Sequence, residues 1–235
     1  MIKPCKPKLG KVSKQLLDPI ISTVKEKSGL LQFKNTVSVL QWFQPIQNKD
    51  IYKWIIFDLV DYYPSISEKL LTDALDWAQN FIPIDEKTKE IILHVRKTFL
   101  YYKGQAWVKR SDPEWDVTMG SFDSAEVADL VSLFLLSHIE HLPVKSGIFK
   151  DDGICLSDLS ANETENVRQE ICRMASVAKL RLTRRLHIIS MSLSILQKGS
   201  IAHTESPTIF PSTSTHSPTT HRPSRSLYRL KSTDG

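Results

Sequence analysis

The segment SAEVADLVSLFLLSHIEHL (124–142) limits the choice of fold more than any other stretch of the chain. It carries the strongest helical signal, and its middle is apolar nearly all the way round. A helix of that kind is buried on every side instead of along one stripe. Its apolar centre, LVSLFLL (130–136), is far too short to cross a bilayer, so the burial must come from protein. With 41% hydrophobic residues among 235, the chain has the material for a real core, and 24% charged residues is not the signature of a disordered chain.

Two short apolar runs end in aspartates. WIIFD (54–58) suits a buried strand. It leads into YYPSISEKLLTDALDWAQNF, where Ser65 and Glu68 have capping-box spacing and Leu70, Leu71, Ala74, Leu75 and Ala78 recur at helical intervals. The unit reads as strand, acidic loop, helix. GIFK and ICLS flank Asp151-Asp152 and predict a hairpin with the carboxylate pair at its tip. Asp152-Gly153 suits a plain hairpin turn. Adjacent carboxylates also repel each other, which a cation between them would relieve.

Further helices follow from period and caps. Asp85 opens one with Ile91, Ile92, Val95, Phe99 and Leu100 on its apolar side. Ser160 and Glu163 cap another, lined by Val167, Ile171, Met174 and Ala178. SKQLLDPIISTVKEKSG (13–29) is helical in part with Pro19 interrupting it, and TVSVLQWFQPI (36–46) is amphipathic. YYKGQAWVKR predicts a hairpin around Lys103-Gly104. With helices interspersed among strands and hairpins, the expected fold class is α+β.

The ends differ from the middle. Residues 1–14 hold Lys3, Lys6, Lys8, Lys11 and Lys14 and no acid, and Pro4 and Pro7 argue against helix. A solvated tail and a phosphate-contacting arm both fit. The net charge of +5 is a mild bias toward acidic partners such as nucleic acid. LHIISMSLSIL (186–196) has no convincing period, and from Gly199 onward Ser, Thr, Pro and His dominate. Residues 184–235 are therefore expected to be a low-complexity, disordered tail.

Cys5, Cys155 and Cys172 form no CxxC pair, which points to a reducing compartment and away from a cysteine-based zinc site. With no secretory signal, the expectation is an intracellular protein of nucleus or cytoplasm, without a membrane partner. His138 and His141 are read as a partly exposed helix end. Asp61, Asp123, Glu126 and Asp129 are read as surface or cap residues.

Strand-Asp, glycine-helix and Asp-Asp hairpin, in that order, resemble the palm of a reverse transcriptase. The first palm motif of that family has an aspartate, an aromatic residue five positions later and often Pro-Ser-Ile, matched by Asp58, Tyr63, Pro64, Ser65 and Ile66. The third is an aromatic residue, any residue and Asp-Asp, matched by Phe149, Lys150, Asp151 and Asp152. The second is matched only at Gly120, since Met119 stands where glutamine is usual and SFDSAE replaces Leu-Ser-Pro. DLVDYYPSIS is particularly like the enzymes of retrotransposons without long terminal repeats and of Penelope-like elements.

The resemblance covers about 50–182. It implies partial fingers and a basic segment in 1–50, a palm-like antiparallel sheet packed on helices in 51–183, and a tail in 184–235 that is decayed or out of frame. It implies two divalent ions, Mg²⁺ or Mn²⁺, held by Asp58, Asp151, Asp152 and the Leu59 carbonyl, with both aspartate motifs catalytic. Tyr63 would lie under the incoming sugar, Gly120 against the nucleotide, and Lys150, Lys8 and Lys11 against nucleic acid. The partners implied are an RNA template, a DNA primer and deoxynucleoside triphosphates; no protein partner is identifiable. A catalytically inactive remnant that at most binds nucleic acid, and a two-metal nuclease, are the competing classes.

Overall fold

In the computed structural model, the structure describes residues 3–4, 7–97, 100–110, 112, 114–183, 187–190 and 228–230. Strand β2 (Lys53–Val60) is the axis of the larger sheet. Ile55, Phe57 and Leu59 alternate into the core, while Trp54, Ile56, Asp58 and Val60 lie on the other, more open face. The hairpin β5 (Lys145–Phe149) and β6 (Asp152–Ser157) pairs with one edge of β2 through β6. On the other edge, β7 (Arg181–Leu182) pairs with Leu59 and Val60, and β8 (His187–Ser190) pairs with residues 53–56. All these pairings are antiparallel. The outer edge of β5 is closed by Leu31–Phe33: Phe33 N donates to Ile148 O at 2.8 Å, and Ile148 N to Leu31 O at 3.0 Å.

A smaller sheet runs β1 (Lys3–Pro4), β3 (Leu100–Tyr102), β4 (Gln105–Lys109) and β9 (Tyr228–Leu230). Lys103 and Gly104 turn its β3–β4 hairpin with φ of 50° and 75°, as the sequence predicts for a two-residue connection.

The helices are α1 (Pro7–Ser28), α2 (Thr36–Phe43), α3 (Tyr62–Ser65), α4 (Glu68–Ala78), α5 (Glu86–Val95), α6 (Ser124–Ser137) and α7 (Ala161–Val177). The predicted all-round-buried helix is α6: Val127, Ala128, Leu130, Val131, Leu133, Leu135 and Leu136 are all buried. It packs on α1, α4 and β5, which together supply the wrapping its composition demands. The five apolar residues expected on α4 are buried as well.

Several details depart from the sequence reading. Residues 7–14 are helical, because Pro7 takes the first helical position, where its missing N–H costs nothing. Pro19 lies inside α1 without ending it, and Leu17, Ile20, Ile21 and Val24 hold that stretch in the core. The cap of α4 is Ser67, whose hydroxyl accepts from Leu70 N at 3.2 Å; Ser65 belongs to the short α3. Helix α5 ends at Val95, Leu100 starts β3, and Phe99 lies outside the described residues. The expected Ser160–Glu163 capping box is present. Of the expected tail, His187–Ser190 and Tyr228–Leu230 are strands that borrow their order from β2 and β4; 184–186, 191–227 and 231–235 lie outside the described residues.

Candidate active site

The register of β2 against β6 sets Asp58 directly opposite Asp152. Directly opposed antiparallel residues share a sheet face with Cβ atoms about 5 Å apart. The turn between β5 and β6 is Lys150-Asp151, with Asp152 already paired to Phe149. The hairpin tip is thus one residue earlier than the Asp151-Asp152-Gly153 sequence predicts. The left-handed residue is Lys150, at φ 54°, and not Gly153. Asp151 is tied back to β2, where its carbonyl accepts from Leu59 N at 3.1 Å, and the Asp58 carbonyl accepts from Thr183 N at 2.9 Å.

Gly153 has a different task. It faces Phe57 across the ladder, and a Cβ there would lie 1.9 Å from the Phe57 ring. The end of the ring therefore occupies the space a Cβ would need, and a glycine is required opposite Phe57 in the β2–β6 register that brings Asp58 to Asp152.

Asp58 and Asp152 have raised proton affinity. Burial, then the charge of Asp151, pushes Asp58 above the ordinary carboxylate value. Burial, then Asp151 and Asp58, pushes Asp152 up to about 6, although Asp152 still exposes surface to water. A folded-state value above the unfolded one means the folded form binds more protons between about pH 4 and 6. Burial and, after it, the neighbouring charges are thus a penalty that is full above about pH 6 and is relieved as pH falls toward 4. Without divalent cations, Asp152→Asn should be more stable than the parent at pH 7, with the gap narrowing steadily as pH falls from about 6 toward 4 in urea titrations. A gap constant across that range contradicts the ionised Asp152 carboxylate as its cause.

The donor set is hard oxygen only, which suits Mg²⁺ or Mn²⁺ and not a softer metal. Among the described residues no three His, Cys, Asp or Glu converge closely enough to enclose an ion by themselves. Magnesium sites commonly take one or two carboxylates and fill the remaining positions with water and substrate phosphate, so the Asp58–Asp151 neighbourhood fits an ion of that kind. His138 and His141 are exposed at the end of α6, as expected.

The adjacent tyrosines of α3 divide their tasks. Tyr62 is fully buried and donates to Ala128 O at 2.9 Å, which anchors α3 on α6. Tyr63 is half-buried, its ring 5.9 Å from that of Tyr62. Burial raises its hydroxyl above the ordinary value, Lys150 lowers it, and Asp151, Asp129 and Glu126 raise it, so it lies within electrostatic reach of the hairpin tip. Leu59 buries its side chain. Gly120 is exposed at φ 89°, a conformation only glycine adopts freely, with nothing within 4 Å of a Cβ built there. Next to it, Met119 and Phe122 are exposed, and Lys11 Nζ lies 5.1 Å from the centre of the Phe122 ring. Lys8 and Lys11 are exposed on α1.

Lys150 does not extend freely into solvent. Its ammonium binds Asp129 Oδ1 at 3.0 Å. Of the acids read as surface or cap residues, Asp123 and Asp61 stand at the N-caps of α6 and α3, but burial and ion pairing go beyond that reading. Asp123 is fully buried in an ion pair with Arg96, Glu126 is mostly buried against Lys14, and Asp129 clamps Lys150; Asp61 alone is an ordinary exposed ion pair, with Arg181. Helical periodicity marks only apolar positions on α6, so these partners, which come from distant segments, leave no signal in the sequence.

No family profile and no curated protein matches the sequence. Solved structures do match in fold. An apo telomerase from Candida tropicalis truncated of its C-terminal domain superposes with TM-score 0.54 at 12% identity, over 74% of this chain and 40% of that one. Apo telomerase from Candida tropicalis gives TM-score 0.57 at 11% identity, over 74% of this chain and 35% of that one. This chain therefore spans less than half of the structures it matches. No helix among the described residues is long and apolar enough to cross a membrane. The mixed helices and antiparallel sheets that hold Asp58 against the β5–β6 hairpin thus share the fold of these telomerase structures.

Proposed function

We propose that this chain is the palm, with partial fingers in 1–50, of an RNA-directed DNA polymerase from a retrotransposon of the non-long-terminal-repeat or Penelope-like kind. The observation that supports it best is the register placing Asp58 opposite Asp152, with Asp151 in the adjoining turn and Tyr63 in electrostatic reach. Asp58 and Asp151, with Asp152 and the Leu59 carbonyl beside them, would hold two Mg²⁺ or Mn²⁺ ions, which acidify the primer 3′-hydroxyl and bind the triphosphate. The hydroxyl oxygen bonds to the α-phosphorus, its proton passes to solvent, and pyrophosphate leaves. The sheet supplies orientation, since Asp58 and Asp151 are fixed through backbone bonds to Thr183 and Leu59. Gly120 leaves room for close backbone approach to the nucleotide. Lys8 and Lys11 would contact phosphates of the RNA template or DNA primer, and the proposed setting is the nucleus or cytoplasm.

A second reading is a nucleic-acid-binding remnant that does not extend primers, which the exposed Lys8 and Lys11 would serve equally well. Primer extension on an RNA template with Mg²⁺ separates the readings. A polymerase lengthens the primer with deoxynucleotides, a nuclease shortens it, and a remnant only retards it in a gel. Retardation without extension, in a polypeptide long enough to hold the primer, sinks the first reading.

Tyr63 is the sugar gate in this proposal, its ring excluding a 2′-hydroxyl. Tyr63→Ala should raise ribonucleotide incorporation at least about tenfold relative to deoxynucleotides, as loss of a steric exclusion worth about 1.4 kcal/mol or more. An unchanged ratio in competition assays makes Tyr63 a packing residue.

A further inference from the structure

Lys150 occupies a position that disfavours it. A two-residue hairpin turn that needs positive φ ordinarily takes glycine or asparagine, and a lysine there strains the backbone. What holds it is its side chain. Lys150 Nζ donates to Asp129 Oδ1 at 3.0 Å and lies 3.5 Å from Ala125 O, one turn earlier on α6. The ammonium also lies 5.9 Å from the centre of the Phe149 ring. Both members of the pair are about three-quarters buried, at 22% and 27% side-chain exposure, so water screens them only in part.

Asp129 is itself held. Its carbonyl accepts from Gln32 Nε2 at 2.9 Å, and the same amide donates to Ser132 Oγ at 2.8 Å. Gln32 belongs to the segment that closes the edge of β5. The clamp therefore joins the hairpin tip, the edge segment and α6 in one unit. It also restrains a permanent positive charge on the residue next to Asp151.

We infer that Asp129 is a positioning residue that holds the Lys150 ammonium off Asp151 and thereby sets the affinity of the carboxylate site for a divalent cation. This rests on the metal-site reading above. With the clamp intact, Asp151 is available to the ion. With the clamp broken, the flexible lysine stem folds back onto Asp151 and competes with the ion as an internal counter-charge.

The test is direct Mn²⁺ binding to the full chain without substrate, followed by paramagnetic resonance of the free ion. Asp129→Asn, which keeps the shape of the side chain, should weaken binding about tenfold, the order expected for one unit charge beside a partly solvated site. Lys150→Gln should tighten it by a similar factor. The double variant should bind like Lys150→Gln alone, because without the charge the clamp has nothing to restrain. A merely structural strap predicts something else: both single variants weaken binding, and the double does no better. That pattern, or shifts below twofold in both, overturns the inference. Asp151→Asn separates the two levels of the argument. If the parent binds no Mn²⁺, or Asp151→Asn leaves binding unchanged, the metal-site reading fails and takes this inference with it. If Asp151→Asn abolishes binding while Asp129 and Lys150 prove neutral, only the clamp is wrong.

Discussion

Asp151→Asn should lower primer extension by at least about a thousandfold in the active polypeptide while leaving the fold as stable as before or more so. Asp58→Asn should behave alike. The two halves of this expectation come from the same geometry. Asparagine keeps the size and one oxygen of the side chain but removes the charge on which a cation site depends. The structural duty of Asp151 is carried by its backbone carbonyl, which accepts from Leu59 N at 3.1 Å and survives the substitution. Removing one of the three charges also relieves the repulsion that raises Asp58 and Asp152. A residue kept at a cost in stability and lost at a cost in activity is the pattern of a functional site. The measurement pairs extension rates with urea denaturation of the same preparations. Near-parent extension by Asp151→Asn removes it from the chemistry. Loss of activity together with loss of folding shows instead that the charge has a structural task.

The path from sequence to this site was open in some places and closed in others. WIIFD and the GIFK–ICLS pair are legible as strands because their apolar runs are short and bounded by turn residues. The unit of strand, acidic loop and helix is legible because Leu70, Leu71, Ala74, Leu75 and Ala78 keep the helical period through the whole of α4. The position of the turn is not legible, since Asp152-Gly153 is a better local turn sequence than Lys150-Asp151. Packing decides it: Gly153 is needed opposite Phe57, so it must lie in the strand, and the turn moves back. Ser67 wins the cap of α4 over Ser65 for a related reason, because Tyr62 buries itself on α6 and draws residues 62–65 into a helix of their own. Strand β8 lacks any period of its own and exists through pairing with β2. In each case the deciding contact joins segments far apart in the chain, which local periodicity cannot report.

The buried ion pair of Arg96 and Asp123 yields the largest expected loss of stability. Arg96 caps α5, Asp123 precedes α6, and they are 1% and 0% exposed. The pair is incompletely satisfied among the described residues, where Arg96 Nε and Asp123 Oδ1 have no hydrogen-bond partner. It is therefore not a strong source of stability in itself, because the cost of dehydrating two ions is only partly recovered. Removing one partner is a different matter, for it leaves an uncompensated charge in the core. Asp123→Ala should lower unfolding free energy by about 3–5 kcal/mol, read from urea denaturation. Replacing both, as Arg96→Met with Asp123→Leu, should restore most of that loss, because the desolvation penalty disappears with the charges. The consequence reaches the site through α6. Asp123 fixes the start of that helix, α1 packs on the same place with a Cβ at Gly10 falling 3.7 Å from Asp123 Oδ1, and Asp129 lies on the second turn. A chain that tolerates Asp123→Ala within about 1 kcal/mol would mean that water reaches Arg96, and α6 would then be a looser support for the Lys150 clamp than its burial implies.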